Sequence, residues 1–143
     1  MSAGKILIVE DSQEVRSVLA EIVAGFGYDV SLAGNGLEAM ERLSAARYDL
    51  LITDIGMPKM GGGELVKNLR RSGNKIPVIL IAGVDINKVD TDLKTLPGCR
   101  FVKKPFDINE FRLEIQKLLR NRSKNSKDRE EAHRGGPSSR KRP

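Results

Sequence analysis

Glu10 and Asp11 follow the apolar run Ile6–Val9, Asp54 follows Leu50–Thr53, and Lys104 follows Phe101–Lys103. Short apolar runs rich in β-branched residues read as buried strands, so each charged group stands where a strand should end. If those strands are parallel neighbours, all four side chains converge at one edge of a sheet. Carboxylate oxygens are hard ligands that suit Mg2+, which keeps several waters and needs few protein groups. A carboxylate is also a nucleophile toward phosphorus, and a metal with a lysine offsets the charge of the transferring group. The chemistry is therefore metal-assisted phosphoryl acceptance, with the acidic pair on the metal, Asp54 attacking and Lys104 pairing with the phosphoryl oxygens.

The elements that must position these groups alternate between two periods. Lys5–Val9 predicts a strand. Val15, Val18, Leu19, Ile22, Val23 and Phe26 then fall on one helical face, ended by Gly25 and Gly27. Tyr28–Leu32 predicts a second strand, and Leu37, Met40 and Leu43 a second helix. Leu50–Thr53 is a third strand. A third helix follows the Gly61–Gly63 run, which lacks the spacing and the Lys-Ser/Thr ending of a phosphate loop and reads as a flexible start to that helix. Pro77 introduces the strand Val78–Ile81. Ile86, Val89, Leu93 and Leu96 have helical spacing around the poor helix formers Asp90, Thr91 and Asp92. Phe101–Lys103 is a fifth strand, and Ile108, Phe111, Ile115, Leu118 and Leu119 mark a last helix. Five strands alternating with five helices predict an α/β fold, a doubly wound parallel sheet covered on both faces. Ligands of such sheets bind beyond the carboxyl ends of the strands, where Glu10, Asp11, Asp54, Ala82 and Lys104 all fall.

Composition narrows the classes further. The chain has 143 residues, 39% of them hydrophobic, which suits one globular domain. Its apolar runs are far too short to span a membrane, and the first residues lack the long apolar stretch of a secretory signal, so a cytoplasmic location is expected. One cysteine, Cys99, excludes an intramolecular disulfide and reads as a small residue near a turn. The net charge of +6 is uneven: residues 1–120 carry +1 and residues 121–143 carry +5. Apolar residues almost vanish after position 120. The expected organisation is a folded domain over 1–120 and a basic disordered tail over 121–143, with His133 a solvated tail residue.

At this point the sequence resembles the receiver domain of response regulators, the two-component signalling proteins. The resemblance covers residues 5–120 and is carried by ILIVEDS at Ile6–Ser12, NGLEAM at Asn35–Met40, YDLLITDIGMP at Tyr48–Pro58, IPVI at Ile76–Ile79 and FVKKPF at Phe101–Phe106. It implies a flavodoxin-like five-stranded sheet in the order 2-1-3-4-5. It also implies roles: Asp54 the phosphoacceptor, Asp11 a direct Mg2+ ligand, Glu10 its acidic partner, Gly56 the residue whose backbone carbonyl completes the metal site, Lys104 the family lysine, and Phe101 the aromatic switch residue. The Lys104–Pro105 peptide is typically cis in this family. One departure stands out. The family's fourth strand normally ends in Ser or Thr, and this chain has Ala82, with no hydroxyl nearby to replace it. Thr53 adjoins Asp54, but alternation along a strand points it the other way.

The resemblance implies a phosphoacceptor receiver in a phosphorelay, taking its phosphoryl group from a histidine kinase or a phosphotransfer protein. With too few residues after the domain for a folded output module, a stand-alone receiver is expected, with output by protein–protein contact or onward phosphotransfer. Enzyme activity beyond self-catalysed phosphorylation and dephosphorylation is not expected, nor is a membrane partner. Two alternatives have a motive in the residues. Ala82 motivates a phosphorylation-independent adaptor, against which the intact Glu10, Asp11, Asp54 and Lys104 stand. The basic tail motivates a nucleic-acid binder, disfavoured because no aromatic is present for base stacking. For an isolated pair, Asp11 and Ser12 could simply cap the first helix.

Overall fold

The structure, a computed structural model, describes residues 3–57, 59–83 and 91–120. Its elements follow one another as β1 (Lys5–Val9), α1 (Gln13–Gly25), β2 (Asp29–Ala33), α2 (Gly36–Ala45), β3 (Leu50–Asp54), α3 (Gly62–Arg71), β4 (Val78–Ala82), α4 (Thr91–Lys94) and β5 (Cys99–Lys103). Residues 108–120 are helical and form α5. The five strands are parallel and lie in the order β2-β1-β3-β4-β5. This is the flavodoxin-like order expected.

Two cores sandwich the sheet because side chains alternate along each strand. Leu7 and Val9, Leu51, Val78 and Leu80 face α2 and α3, packing with Ala39, Leu65, Val66 and Leu69. Ile6 and Ile8, Leu50 and Ile52, Ile79 and Ile81 face α1 and α5, packing with Leu19, Val23, Phe111 and Ile115. Burial on both faces explains why the strands read as continuous apolar runs rather than alternating ones.

Boundaries moved slightly where pairing overrides local pattern. β2 starts at Asp29, not Tyr28, because Asp29 pairs with Lys5 and its N–H donates to Gly4 at 2.9 Å. β5 begins at Cys99 rather than Phe101, since Cys99 pairs with Val78 at the start of β4. Cys99 is thus a strand residue, its Sγ 3.8 Å from Arg70 Nη2. Arg70 also donates to the carbonyls of Asn74, Ile76 and Pro97, tying the end of α3 to the starts of β4 and β5. Of the helix expected around Ile86–Leu96, the part from Thr91 to Lys94 is helical; Ile86 and Val89 lie outside the described residues. The tail at 121–143, with His133, also lies outside them.

Candidate functional site

Register alone brings the acidic groups together. Val9 pairs with Thr53, so Glu10 and Asp54, one residue further on, are neighbours across adjacent strands. They share parity with Ile8 and Ile52, which places both on the α1 and α5 side of the sheet. On the far side Ala82 pairs with Lys103, and the Lys104 N–H donates to the Ala82 carbonyl at 2.9 Å. Lys104 therefore leaves β5 level with the end of β4, and the peptide that follows, Lys104–Pro105, is cis.

Ligand oxygens of Glu10, Asp11 and Asp54 all lie within 4.8 Å of one another. Lys104 Nζ stands 3.7 Å from Glu10 Oε1 and 3.9 Å from Asp54 Oδ1. The cap of α1 is Ser12, whose hydroxyl accepts the Val15 N–H at 3.3 Å, which leaves the Asp11 carboxylate to the cluster. Glu10 is 2% exposed. Its carboxylate accepts the Ser12 N–H at 3.0 Å. Burial pushes the Glu10 carboxyl above its ordinary range, with Asp11 and Asp54 adding to the rise and the Ser12 N–H and Lys104 opposing it. Burial also raises Asp54, helped by the Asp11 charge and opposed by Lys104 and the Ile55 N–H. One ammonium facing three carboxylates leaves a surplus of negative charge, which is what a divalent cation would neutralise. The donors are all hard oxygens. Around Mg2+, oxygens stand roughly 3–4 Å apart, so the cluster needs only a small contraction to fit that ion.

The β3–α3 loop is held tightly. The Ile55 N–H donates to Ile81, and the Gly62 N–H donates back to Ile55 at 2.9 Å. A methyl group built on Gly62 would collide with the Asp54 carbonyl oxygen, and one on Gly61 would lie 2.6 Å from the Ile55 oxygen. One on Gly63 would lie 2.8 Å from Leu93 Cδ1 of α4. The Gly61–Gly63 run was expected to be a flexible start to α3. Instead it is a close approach, in which glycine lets the helix press on the backbone of the candidate acceptor. Lys59 and Met60 both adopt left-handed backbone, with φ of 54° and 70°. Met60 is anchored by the Gly36 N–H, which donates to its carbonyl at 3.1 Å. Such conformations cost about 1–2 kcal/mol each, and they concentrate at functional loops. Sequence reading missed these contacts; the glycine at 62, eight residues after Asp54, was the available signal.

Gly56 is exposed, with open space where a side chain would stand. Ala82 is 1% exposed. Thr53 is fully buried, its hydroxyl donates to the Asp54 main-chain oxygen at 3.1 Å, and its methyl faces Gly62 of α3. It thus turns away from the carboxylate cluster. Phe101 is half-buried against the core on the α2 and α3 side.

A family model described as the response regulator receiver domain matches residues 6–116. The chain belongs to this family. Sporulation initiation phosphotransferase F of Bacillus subtilis is 34% identical over 119 residues, which is 83% of this chain and 96% of that protein. The uncharacterized transcriptional regulatory protein YkoG of B. subtilis is 30% identical over 128 residues, 90% of this chain but 56% of YkoG. The chain spans about half the length of the first such curated relatives. Among solved structures, the response regulator TrrA of Thermotoga maritima, in complex with Mg2+ and BeF, superimposes with a TM-score of 0.73 at 30% identity, over 82% of this chain and 99% of that one. Receiver domains are signalling phosphoacceptors of two-component systems, and in this receiver no helix among the described residues is long and apolar enough to cross a membrane.

Proposed function

We propose that this receiver accepts a phosphoryl group on Asp54 from a phosphohistidine of a histidine kinase or phosphotransfer protein. The carrying observation is the convergence of Glu10, Asp11 and Asp54 within 4.8 Å beside Lys104. In the transfer, an Asp54 carboxylate oxygen forms a bond to phosphorus as the phosphorus–nitrogen bond to the donor histidine breaks, giving an acyl phosphate and a neutral imidazole. Glu10, Asp11, Asp54 and the Gly56 carbonyl would hold Mg2+, which when bound supplies charge neutralisation at the phosphoryl oxygens. Lys104 lies within reach of the same oxygens and pairs with the charge that Asp54 acquires.

The receiver occupies residues 1–120, with residues 121–143 a basic tail, and works in the cytoplasm. It passes its signal by protein contact or by onward phosphotransfer. The likeness to sporulation initiation phosphotransferase F, 96% of which aligns, supports the onward transfer. The test is incubation of the full chain with acetyl phosphate and Mg2+, followed by intact mass. One phosphoryl group should be added, and Asp54→Asn should prevent it; wild-type labelling of Asp54→Asn would falsify the assignment.

A second reading, a phosphorylation-independent adaptor, has Ala82 in its favour. The end of β4 offers no hydroxyl to the phosphoryl group. Unlabelled wild-type protein in the same experiment would select this reading.

A further inference from the structure

Arg16 lies one turn into α1 and reads in the sequence as another surface cation. In the structure its Nη1 donates to the main-chain carbonyl of Glu10 at 2.8 Å. The Glu10 N–H donates to the Ala33 carbonyl at 3.1 Å, and the Glu10 carboxylate accepts the Ser12 N–H. Both ends of this residue and its side chain are therefore fixed. The guanidinium is boxed from the other side by the β2–α2 turn. A methyl group on Gly34 would lie 3.2 Å from Arg16 Nη1 and 3.5 Å from Glu38 Oε1. Glu38 Oε1 accepts the Gly34 N–H at 2.7 Å, and its other oxygen meets Arg42 at 3.3 Å. The Gly34 N–H, then the Arg42 and Arg16 cations, hold the Glu38 carboxyl below its ordinary range, so a carboxylate faces the guanidinium.

We propose that Arg16 is a positioning residue for the acidic site, clamping the Glu10 main chain so that the Glu10–Asp11 pair is preset to receive a divalent cation. This rests on the reading of Glu10, Asp11 and Asp54 as the cation site. Two effects of Arg16 on that site have opposite signs. As a positive charge near three carboxylates it disfavours a second cation. As a clamp on the residue before Asp11 it removes freedom that binding would otherwise have to remove. The charge is partly offset by Glu38, which Arg16 shares with Arg42, whereas the hydrogen bond to the Glu10 carbonyl is short and directed. The clamp therefore dominates.

The opposite signs make the test decisive. The full 143-residue chain is titrated with MgCl2 by calorimetry, and acetyl phosphate labelling rates are measured across Mg2+ concentrations. Arg16→Met, which keeps an apolar stem and removes the donors, should weaken Mg2+ binding by about tenfold. The half-saturating Mg2+ concentration for labelling should move more than the maximal rate, and Arg16→Lys should recover part of the loss. Gly34→Val keeps the arginine but crowds it off the carbonyl, and should weaken binding in the same direction. Should Arg16→Met not fold, Gly34→Val and Arg16→Lys decide. Mg2+ binding by the variants as tight as wild type, or tighter, overturns the clamp. Wild-type protein that takes up neither Mg2+ nor phosphate overturns the cation site itself, a separate result.

Discussion

The Lys104 ammonium stands 3.9 Å from the Asp54 carboxylate, too far for a direct hydrogen bond and close enough to be its main neutralising charge. At that distance the pair attracts without locking, so the lysine can follow oxygens added to Asp54. Lys104→Ala should leave Mg2+ binding intact and slow labelling by acetyl phosphate by roughly 10²-fold, the loss typical of removing one charge-stabilising donor. An unchanged labelling rate would remove Lys104 from the chemistry.

Asp54 and Glu10 are both raised by burial, and the sign of the pH effect follows. A carboxyl that binds its proton more tightly when folded stabilises the fold below its unfolded pKa, about 4, and that contribution is lost as pH climbs through the folded value. In the absence of divalent cations the melting temperature should therefore fall as pH rises from about 4 toward neutrality, on top of whatever other groups contribute. Asp54→Asn should flatten the fall and raise the melting temperature at neutral pH. A lower melting temperature for Asp54→Asn at neutral pH would contradict this.

Divalent cations should act on the same surplus charge. Millimolar Mg2+ should raise the melting temperature of the wild type, because a ligand that binds only the folded state stabilises it. Asp11→Ala should lose most of that rise. If it keeps the full response, the ion binds elsewhere.

Gly62→Ala should destabilise the receiver by about 1–3 kcal/mol, since the added methyl meets the main chain of Asp54, which cannot yield without moving β3. Gly63→Ala should cost less, because its obstacle is the end of the flexible Leu93 side chain. Chemical denaturation of the two variants orders them; equal stabilities would show that the helix shifts freely.

Ala82→Thr should strengthen the response of the β4 end to phosphorylation, provided the extra atoms fit at this buried position. A hydrogen bond to a charged group contributes about 1.5–3 kcal/mol, enough to shift a two-state equilibrium about tenfold or more. Amide NMR with and without beryllofluoride is the measurement. Large shifts around Phe101 in the wild type, with nothing added by threonine, would mean that the signal leaves the site without a hydroxyl.

The sequence was most legible where one pattern served one purpose. Leu7 and Val9 against Ile6 and Ile8 make a strand buried on both faces, and strand ends put Glu10, Asp11, Asp54 and Lys104 at one edge of the sheet. It was least legible where a residue acts through the backbone of another. Arg16 carries no pattern that distinguishes it from a solvated cation, since its partner is a carbonyl, which every residue has. Gly62 suggested freedom where the structure uses its lack of a side chain for contact. The region around α4 was weakly patterned because Asp90, Thr91 and Asp92 dilute the helical signal.

The Gly62 N–H returns to Ile55, and a methyl built on Gly62 would meet the Asp54 carbonyl, so the loop that leaves β3 is closed at its neck. Ring-closure entropy grows only slowly with length, by about 0.6 kcal/mol per doubling. Extra residues beside exposed Gly56 would therefore disturb the fold less than a single methyl at the neck. The loop tolerates growth where it is exposed, and depends on the absence of one carbon at its base.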